Sequence, residues 1–267
     1  MYQRLLITGA AGGLGRVMRH RVAGIAAVIR VSDIAEMEPA GDAEEVVQCD
    51  LSDAVAVHDL VAGCDGILHL GGISVEDMFP KILRSNIEGV FNLYEAARAH
   101  GHPRILFASS NHTVGYHPQT TRLDAQCTLK PDGLYGVSKC FGEAMAAMYH
   151  AKFGQETAIV RIGSCLEKPI DHRMLATWLS HDDFADLIRA VFAAPELGCP
   201  VIWGASANDD GWWDNAAVGF LGWTPKDNSA AFRAELEATV NRPSADDPRS
   251  VWQGGAFTQT SIITDQK

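Results

Sequence analysis

The chain has 267 residues, 47 % of them hydrophobic and 21 % charged, an ordinary globular composition with length for one large core or a core plus a small lobe. Its formal net charge of −11 sets long-range repulsion against nucleic acid and anionic membrane surfaces, and an anionic substrate would need a local cation to hold it. No apolar run approaches the ~20 residues that span a bilayer, and Met1-Tyr2-Gln3-Arg4 enters a strand-like run with no room for a signal peptide.

Residues 4–8 form a short apolar run suited to a buried parallel strand. Gly9-Ala10-Ala11-Gly12-Gly13-Leu14-Gly15 follows, and then a helical pattern through Val17, Met18 and Val22. Strand, glycine turn and helix are the context that makes G-x-x-G-x-x-G credible as a dinucleotide turn. Gly9 allows the tight turn, Gly12 lets the backbone approach a pyrophosphate, and Gly15 lets helix and strand pack closely. The helix N-terminus then faces the phosphates. Residues 27–31 read as a second strand ending at Asp33, which lies 18 positions past Gly15. A carboxylate ~20 residues on accepts hydrogen bonds from the adenosine ribose and repels a 2′-phosphate, which favours NAD over NADP. A helix or turn cap is the other reading of Asp33.

Residues 45–49 look like a third strand. After it, Asp50 could contact the adenine, and Ser52 or Asp53 could cap the helix over 54–61. A fourth strand over 66–70 runs into Gly71-Gly72-Ile73-Ser74, small residues at a strand's carboxyl end, where open α/β sheets bind ligands. His69, inside an apolar run, reads as a core histidine. Residues 82–100 read as one long helix with an apolar stripe of Ile87, Val90, Phe91 and Tyr94. Asn86 is a poor helix-interior residue, and its presence there is unusual. A fifth strand, 104–108, delivers Ser109-Ser110-Asn111-His112.

A helix over 134–153 comes next, and it carries Tyr135 and Lys139. Residues four apart share a helix face. Free tyrosine, with a pKa near ~10, is a poor base at neutral pH. An ammonium one turn away, joined by an oxidised nicotinamide ring, favours the phenolate and makes Tyr135 a usable general base. Tyr-x-x-x-Lys alone is a weak signal; its weight comes from the rest of the chain. A sixth strand over 157–161 ends near Ser164, residues 184–193 read as an amphipathic helix, and 201–204 as a seventh strand. This alternation argues a Rossmann-type, doubly wound parallel sheet. Beyond it the texture changes: Trp212, Trp213, Phe220 and Trp223 occur among glycines and asparagines, and only 230–239 reads clearly as helix. The expected division is a dinucleotide-binding domain over 1–163 and a small, loop-rich substrate lobe with a tail over 164–267, the two interleaved. The aromatic cluster reads as packing of that lobe before it reads as a sugar platform. The six cysteines show no Cys-x-x-Cys pair and no zinc-finger spacing, and are read as reduced thiols of a cytoplasmic protein without a metal site.

Taken together, Gly9, Gly12, Gly15, Asp33, Asp50, Asn86, Ser110, Tyr135 and Lys139 stand in the order found in the extended short-chain dehydrogenase/reductase superfamily, which the first ~165 residues resemble. Within it, Ser109–His112, Tyr135–Lys139, Arg161–Cys165 and Gly204–Asp209 are similar to the uronate dehydrogenase family, over essentially the whole chain. That resemblance implies NAD-dependent oxidation of a hexuronic acid, glucuronate or galacturonate, at C1 to an aldarolactone, with Tyr135, Lys139 and Ser110 as the catalytic set. It implies cofactor contacts from Gly9, Gly12, Gly13, Leu14, Gly15, Asp33, Asp50, Leu51, Leu70, Gly71, Gly72, Asn86, Tyr135 and Lys139, with Asn86 a possible holder of a relay water. Ser74, Ser110, Asn111, His112, Tyr135, Ser164 and Arg173 would line the sugar site, and a homo-oligomer is implied. A uronate needs a cation at its carboxylate. Arg173 offers a two-pronged grip that lysine cannot match, with Lys168 and His112 as competitors. Gly13 and the tail after Asn241 are the parts least bound to follow the family. Two other functions remain open from sequence: a sugar-nucleotide epimerase or dehydratase on the same fold, and a non-catalytic dinucleotide sensor.

Overall fold

The structure is a computed structural model and describes residues 1–264. The last three residues of the expected 164–267 lobe lie outside the described residues. In chain order the elements are β1 (Tyr2–Thr8), α1 (Gly13–Arg21), β2 (Ala26–Asp33), β3 (Glu44–Gln48), α2 (Ala54–Val61), β4 (Gly66–His69) and α3 (Phe79–Ile82). A π-helical stretch, Leu83–Glu88, joins α3 to α4 (Gly89–Ala99). There follow β5 (Arg104–Ser110), α5 (Leu134–Phe153), β6 (Thr157–Ile162), β7 (Ser164–Cys165), α6 (Met174–Thr177), β8 (Trp178–Leu179), α7 (His181–Ala193), β9 (Val201–Gly204), α8 (Arg233–Thr239) and α9 (Pro248–Val251). Seven strands form one sheet in the order β3-β2-β1-β4-β5-β6-β9, and every pairing in it is parallel.

Side chains alternate across the sheet. Leu5, Ile7, Leu68, Leu106 and Val160 face α1 and α7, packing on Met18, Val22, Phe184, Leu187, Ile188 and Val191. Leu6, Ile67, Ile105, Phe107 and Ile159 face α2, α4 and α5, packing on Val57, Leu60, Val90, Leu93, Tyr94, Met145 and Tyr149. A sheet buried on both faces is why its strands read as near-continuous apolar runs. The register pairs Thr8 with both Ser32 and His69, and Ser110 with Ile162. The carboxyl ends of β1, β2, β4, β5 and β6 therefore open at one edge of the sheet. The strand order reverses between β1 and β4, and a cleft forms at that switch point.

Two expectations need correction. The helix expected over 82–100 is interrupted: residues 83–88 take a π-helical turn, with Asn86 buried inside it. The buried stripe of α4 is accordingly Val90, Leu93, Tyr94 and Ala97, and Phe91 is half exposed. The amphipathic helix starts at His181, three residues early, because the Ser180 side chain accepts from Asp183 N at 2.9 Å and caps it. The chain from 164 onward is interleaved with the rest: α7 covers the main sheet and β9 completes it. The tail returns to the loop between β5 and α5, with Gln119 N on Val251 O at 2.8 Å, Gln253 N on His117 O at 2.9 Å and Gly254 N on Gly115 O at 2.9 Å.

Candidate active site

A cavity of about 680 Å³ runs along the carboxyl edge of the sheet, lined by Gly9, Gly12 and Gly13 at one end and Ser110, His112, Tyr135, Ser164 and Phe257 at the other. Its first half is made of backbone. Gly9 has φ +72°, and a Cβ there would press on Gly71 N and Leu70 C at 2.7 Å. A Cβ on Gly15 would overlap Gly9 O, so α1 can approach β1 only through glycine. Gly13 meets no protein atom at the Cβ position and faces the cavity. Among the described residues nothing in the protein itself demands glycine at 13. Ala11 N donates to Asp33 Oδ2 and Ala35 N to Oδ1, both at 3.0 Å. The expected turn-capping role and the cavity-facing role of Asp33 thus coexist: the amides pin the carboxylate beside the glycine turn. Asp50 lines the same wall, but its oxygens are engaged by Ser52 N, Ser52 Oγ and the Arg84 guanidinium, which hold its carboxyl below the ordinary range. Asp53, not Ser52, caps α2. Leu14, Leu51, Leu70, Gly71, Gly72 and Ser74 all line the cavity.

The second half is made of side chains. Tyr135 and Lys139 rise from the first turns of α5, whose Leu134 and Tyr135 amides both donate to the Glu76 carboxylate at 3.0 Å. That carboxylate sits at the positive end of the helix, from the loop that carries Ser74. Asn86 ties the same loop to α5: its Oδ1 accepts from Ile73 N, and its Nδ2 donates to Ile73 O and Ser138 Oγ, all within 2.9 Å. With both amide hydrogens committed, Asn86 stands behind the cavity wall as a brace, a different position from the cofactor contact implied for it. His69 is a core histidine, as expected, with Nδ1 2.7 Å from Thr8 Oγ1, and burial pushes its pKa down to about 3.

Burial dominates the electrostatics at the pair. Burial pushes the Tyr135 phenol up to about 12, and the hydrogen bond with Ser110 opposes this only in part. Lys139 Nζ donates to Ala108 O at 2.8 Å and lies 5.7 Å from the Tyr135 ring centre; its own burial brings it down to about 8. Desolvation disfavours both charged forms, so burial favours the protonated phenol at Tyr135 despite the lysine one turn away.

At the far end, His112 Nδ1 lies 2.8 Å from Asp132 Oδ2, and its ring packs on Phe257 with centres 3.9 Å apart. Arg173 Nε donates to Gln253 O at 2.6 Å and Nη1 approaches Ser164 Oγ at 3.5 Å. The Asn111 amide, oriented to suit its neighbours, accepts from Arg173 Nη2 at 2.6 Å and donates to Ile162 O at 3.2 Å. Arg173 and Asn111 thus stand just behind Ser164 in the wall. Among the described residues Arg173 has no carboxylate within ion-pair distance, and part of its five-donor fork is uncommitted. Burial holds its guanidinium below the ordinary value. Lys168, the competing cation, is exposed and paired with Glu235 at 2.5 Å. Burial also pushes His112 below its ordinary pKa, so it is no cation at neutral pH.

Sequence reading missed Glu76, Asp132, Gln253 and Phe257. Pro131-Asp132-Gly133 ahead of a helix reads as a cap, yet Asp132 makes no capping bond; the N-cap is Gly133. Phe257 and Gln253 carry no local signal, since they arrive from the far end of the chain. The tryptophans pack the lobe: Trp203 and Trp213 stack at 4.9 Å, Trp213 Nε1 donates to Gln253 Oε1, and Trp223 Nε1 to Asp183 O. None of them lines the long cavity. All six cysteines are unpaired thiols.

Residues 5–166 match the model of the NAD dependent epimerase/dehydratase family. The chain is 64 % identical to a uronate dehydrogenase of Agrobacterium fabrum over 261 residues, covering 98 % of each chain. It superposes on the crystal structure of an Agrobacterium tumefaciens uronate dehydrogenase variant complexed with NAD at a TM-score of 0.97, with 62 % identity, covering 98 % of this chain and 99 % of that one. A glucuronic acid dehydrogenase from Chromohalobacter salexigens matches at a TM-score of 0.98 and 54 % identity over the whole of both chains.

Proposed function

The chain belongs to the NAD-dependent epimerase/dehydratase family and, within it, to the uronate dehydrogenases, and on that premise we propose that it oxidises D-glucuronate or D-galacturonate at C1 to the aldarolactone. The carrying observation is the half-buried Arg173, which has no carboxylate within ion-pair distance among the described residues and stands behind Ser164, in the wall of a cleft lined by Ser110, Tyr135 and Lys139. The residues fit NAD: Gly9 and Gly15, where a Cβ would clash with backbone, and the pinned Asp33 for the ribose, which disfavours a 2′-phosphate. Gly9, Gly12, Gly13, Leu14, Gly15, Asp33, Leu51 and the Leu70–Gly72 turn would hold it, with Asp50 at the adenine end. When bound, NAD supplies the hydride acceptor and a positive nicotinamide ring.

Tyr135 takes the proton of the C1 hydroxyl, and the C1–O bond becomes a carbonyl as C1 gives up its hydride. Because burial pushes Tyr135 up to about 12, it becomes a base only once added positive charge shares its pocket. Lys139, anchored on Ala108 O, would hold the phenolate and the nicotinamide ribose. Ser110 donates to the oxygen on which charge develops. Arg173 holds the carboxylate, steered by Ser164 and Asn111. Asn86 acts through the loop and helix it braces rather than by touching the cofactor.

Half-exposed Phe91 on α4 and Met148 and Phe153 on α5 support association through those helices as a homo-oligomer. Among the described residues no helix is long and apolar enough to cross a membrane, and the six thiols support a cytoplasmic setting. The test is to mix the protein with NAD and each uronate, follow NADH absorbance, and identify the product by NMR. One NADH per lactone formed is expected. A tightly held NAD with no net NADH would point instead to an epimerase or dehydratase, and no turnover of any uronate despite NAD binding to a sensor.

A further inference from the structure

Asp132 is an anomalous residue in this site. It is buried, and its Oδ1 has no hydrogen-bond partner. Leaving a carboxylate oxygen unpaired out of water is costly. The surroundings are shaped to keep it there: a Cβ at Gly115, in the loop after β5, or at Gly254, in the returning tail, would overlap the Asp132 carboxylate. The two glycine backbones are joined to each other by Gly254 N on Gly115 O. The one side-chain partner of Asp132 among the described residues is His112 Nδ1, at 2.8 Å. Phe257 closes the other face of the imidazole and Tyr135 meets it edge-on, with ring centres 5.8 Å apart.

A carboxylate accepts and does not donate, so the ring nitrogen facing it must carry a proton. The other nitrogen, Nε2, has no partner among the described residues, and His112 lines the cavity. We propose that Asp132 is a positioning residue: it holds the proton on His112 Nδ1, so that Nε2 faces the cleft as the acceptor for a ring hydroxyl of the uronate. The inference rests on the uronate reading of the site and assigns the recognition of one hydroxyl to a neutral imidazole, separate from the carboxylate grip at Arg173. Arg173, Glu76 and Asp132 are the charges that act on the ring. Burial keeps it neutral against the pull of the two carboxylates, as an acceptor requires.

The experiment combines a tautomer measurement with a mutant cycle. In the NAD-bound wild type labelled with ¹⁵N-histidine, the His112 resonances, assigned by their loss in His112→Gln, are expected to show a proton on Nδ1 and none on Nε2. The Nε2–H tautomer, or an imidazolium at neutral pH, overturns the proposal. In steady state, Asp132→Asn should lower kcat/KM for glucuronate and galacturonate about 10- to 100-fold, with the NAD Kd within about twofold of wild type. His112→Gln should lose a similar factor, and the double variant should be no worse than His112→Gln alone, because Asp132 acts through the ring. Losses that multiply, or an Asp132→Asn enzyme with unchanged kcat/KM, overturn it. If Asp132→Asn fails to bind NAD and so has not folded, the wild-type tautomer decides. A wild type that turns over no uronate contradicts the function, while the tautomer on the NAD-bound protein still judges Asp132.

Discussion

The two ends of the cleft are built from different material. The cofactor end is contiguous backbone: one turn of seven residues, Gly9 to Gly15, with Asp33 pinned to it by the Ala11 amide. The end proposed for the substrate is side chains drawn from four distant stretches, residues 110–112, 132–139, 164–173 and 253–257, and braced by buried polar contacts. A backbone site needs the absence of side chains, which glycines achieve at little electrostatic cost. A side-chain site must bury charge, and it shows: burial shifts Tyr135 up and His112, Lys139 and Arg173 down. Substitutions at the two ends should therefore fail differently, the cofactor end in NAD affinity and the substrate end in turnover and specificity.

The largest separation is expected from Tyr135→Phe. Loss of the proposed base should cut kcat by ~10²–10⁴-fold while the NAD Kd, read by calorimetry, holds. A variant keeping more than a tenth of the turnover would remove Tyr135 from the chemistry. Next comes Arg173→Ala, expected to lower kcat/KM for both uronates by about 30-fold to a few thousand-fold, the ~2–5 kcal/mol of a desolvated charge pair. Arg173→Lys should recover part of this, and a loss under fivefold on both sugars would place the carboxylate elsewhere. At the cofactor end, Asp33→Ala should narrow the NAD/NADP preference by about tenfold, mainly through weaker NAD binding, and leave the uronate KM nearly unchanged. An unaltered ratio would mean that Asp33 serves its turn alone.

The last effect is on stability and has the opposite sign. Lys139 is lowered to about 8 in the folded chain from an ordinary 10.5. Below pH 8 it is charged in both folded and unfolded states, and its burial opposes folding. Between pH 8 and 10.5 the unfolded chain binds the extra proton, so wild-type stability rises with pH across that window. Lys139→Met lacks this contribution. It should be inactive yet more stable than wild type at pH 7, by up to ~3 kcal/mol, with the advantage shrinking from pH 8 to 10.5. Thermal melts across that range test it, and a variant less stable than wild type at pH 7 would show that the ammonium is compensated where it lies.

The same contrast explains what could be read from the chain. The glycine turn, Asp33 and the Tyr135–Lys139 spacing are local patterns, and the folded chain places them around one cavity. Asn86 stood out as misplaced in a helix, and the structure gives the reason: a π-helical turn turns its amide toward Ile73 and Ser138. Asp132, Gln253 and Phe257 were not legible, because the loop before α5 and the tail meet only after folding. Tyr135 was legible as a residue but not as a titration, since the burial that raises it is a property of the packed site.

The central claim is that the substrate end selects a uronate over a neutral sugar of the same ring. The most direct measurement is the initial rate of NADH formation by the wild type with glucuronate and with glucose, which differ at C6 by the carboxylate Arg173 would hold. A kcat/KM for glucuronate at least about 30-fold above that for glucose is expected, and equal values for the two sugars would contradict it.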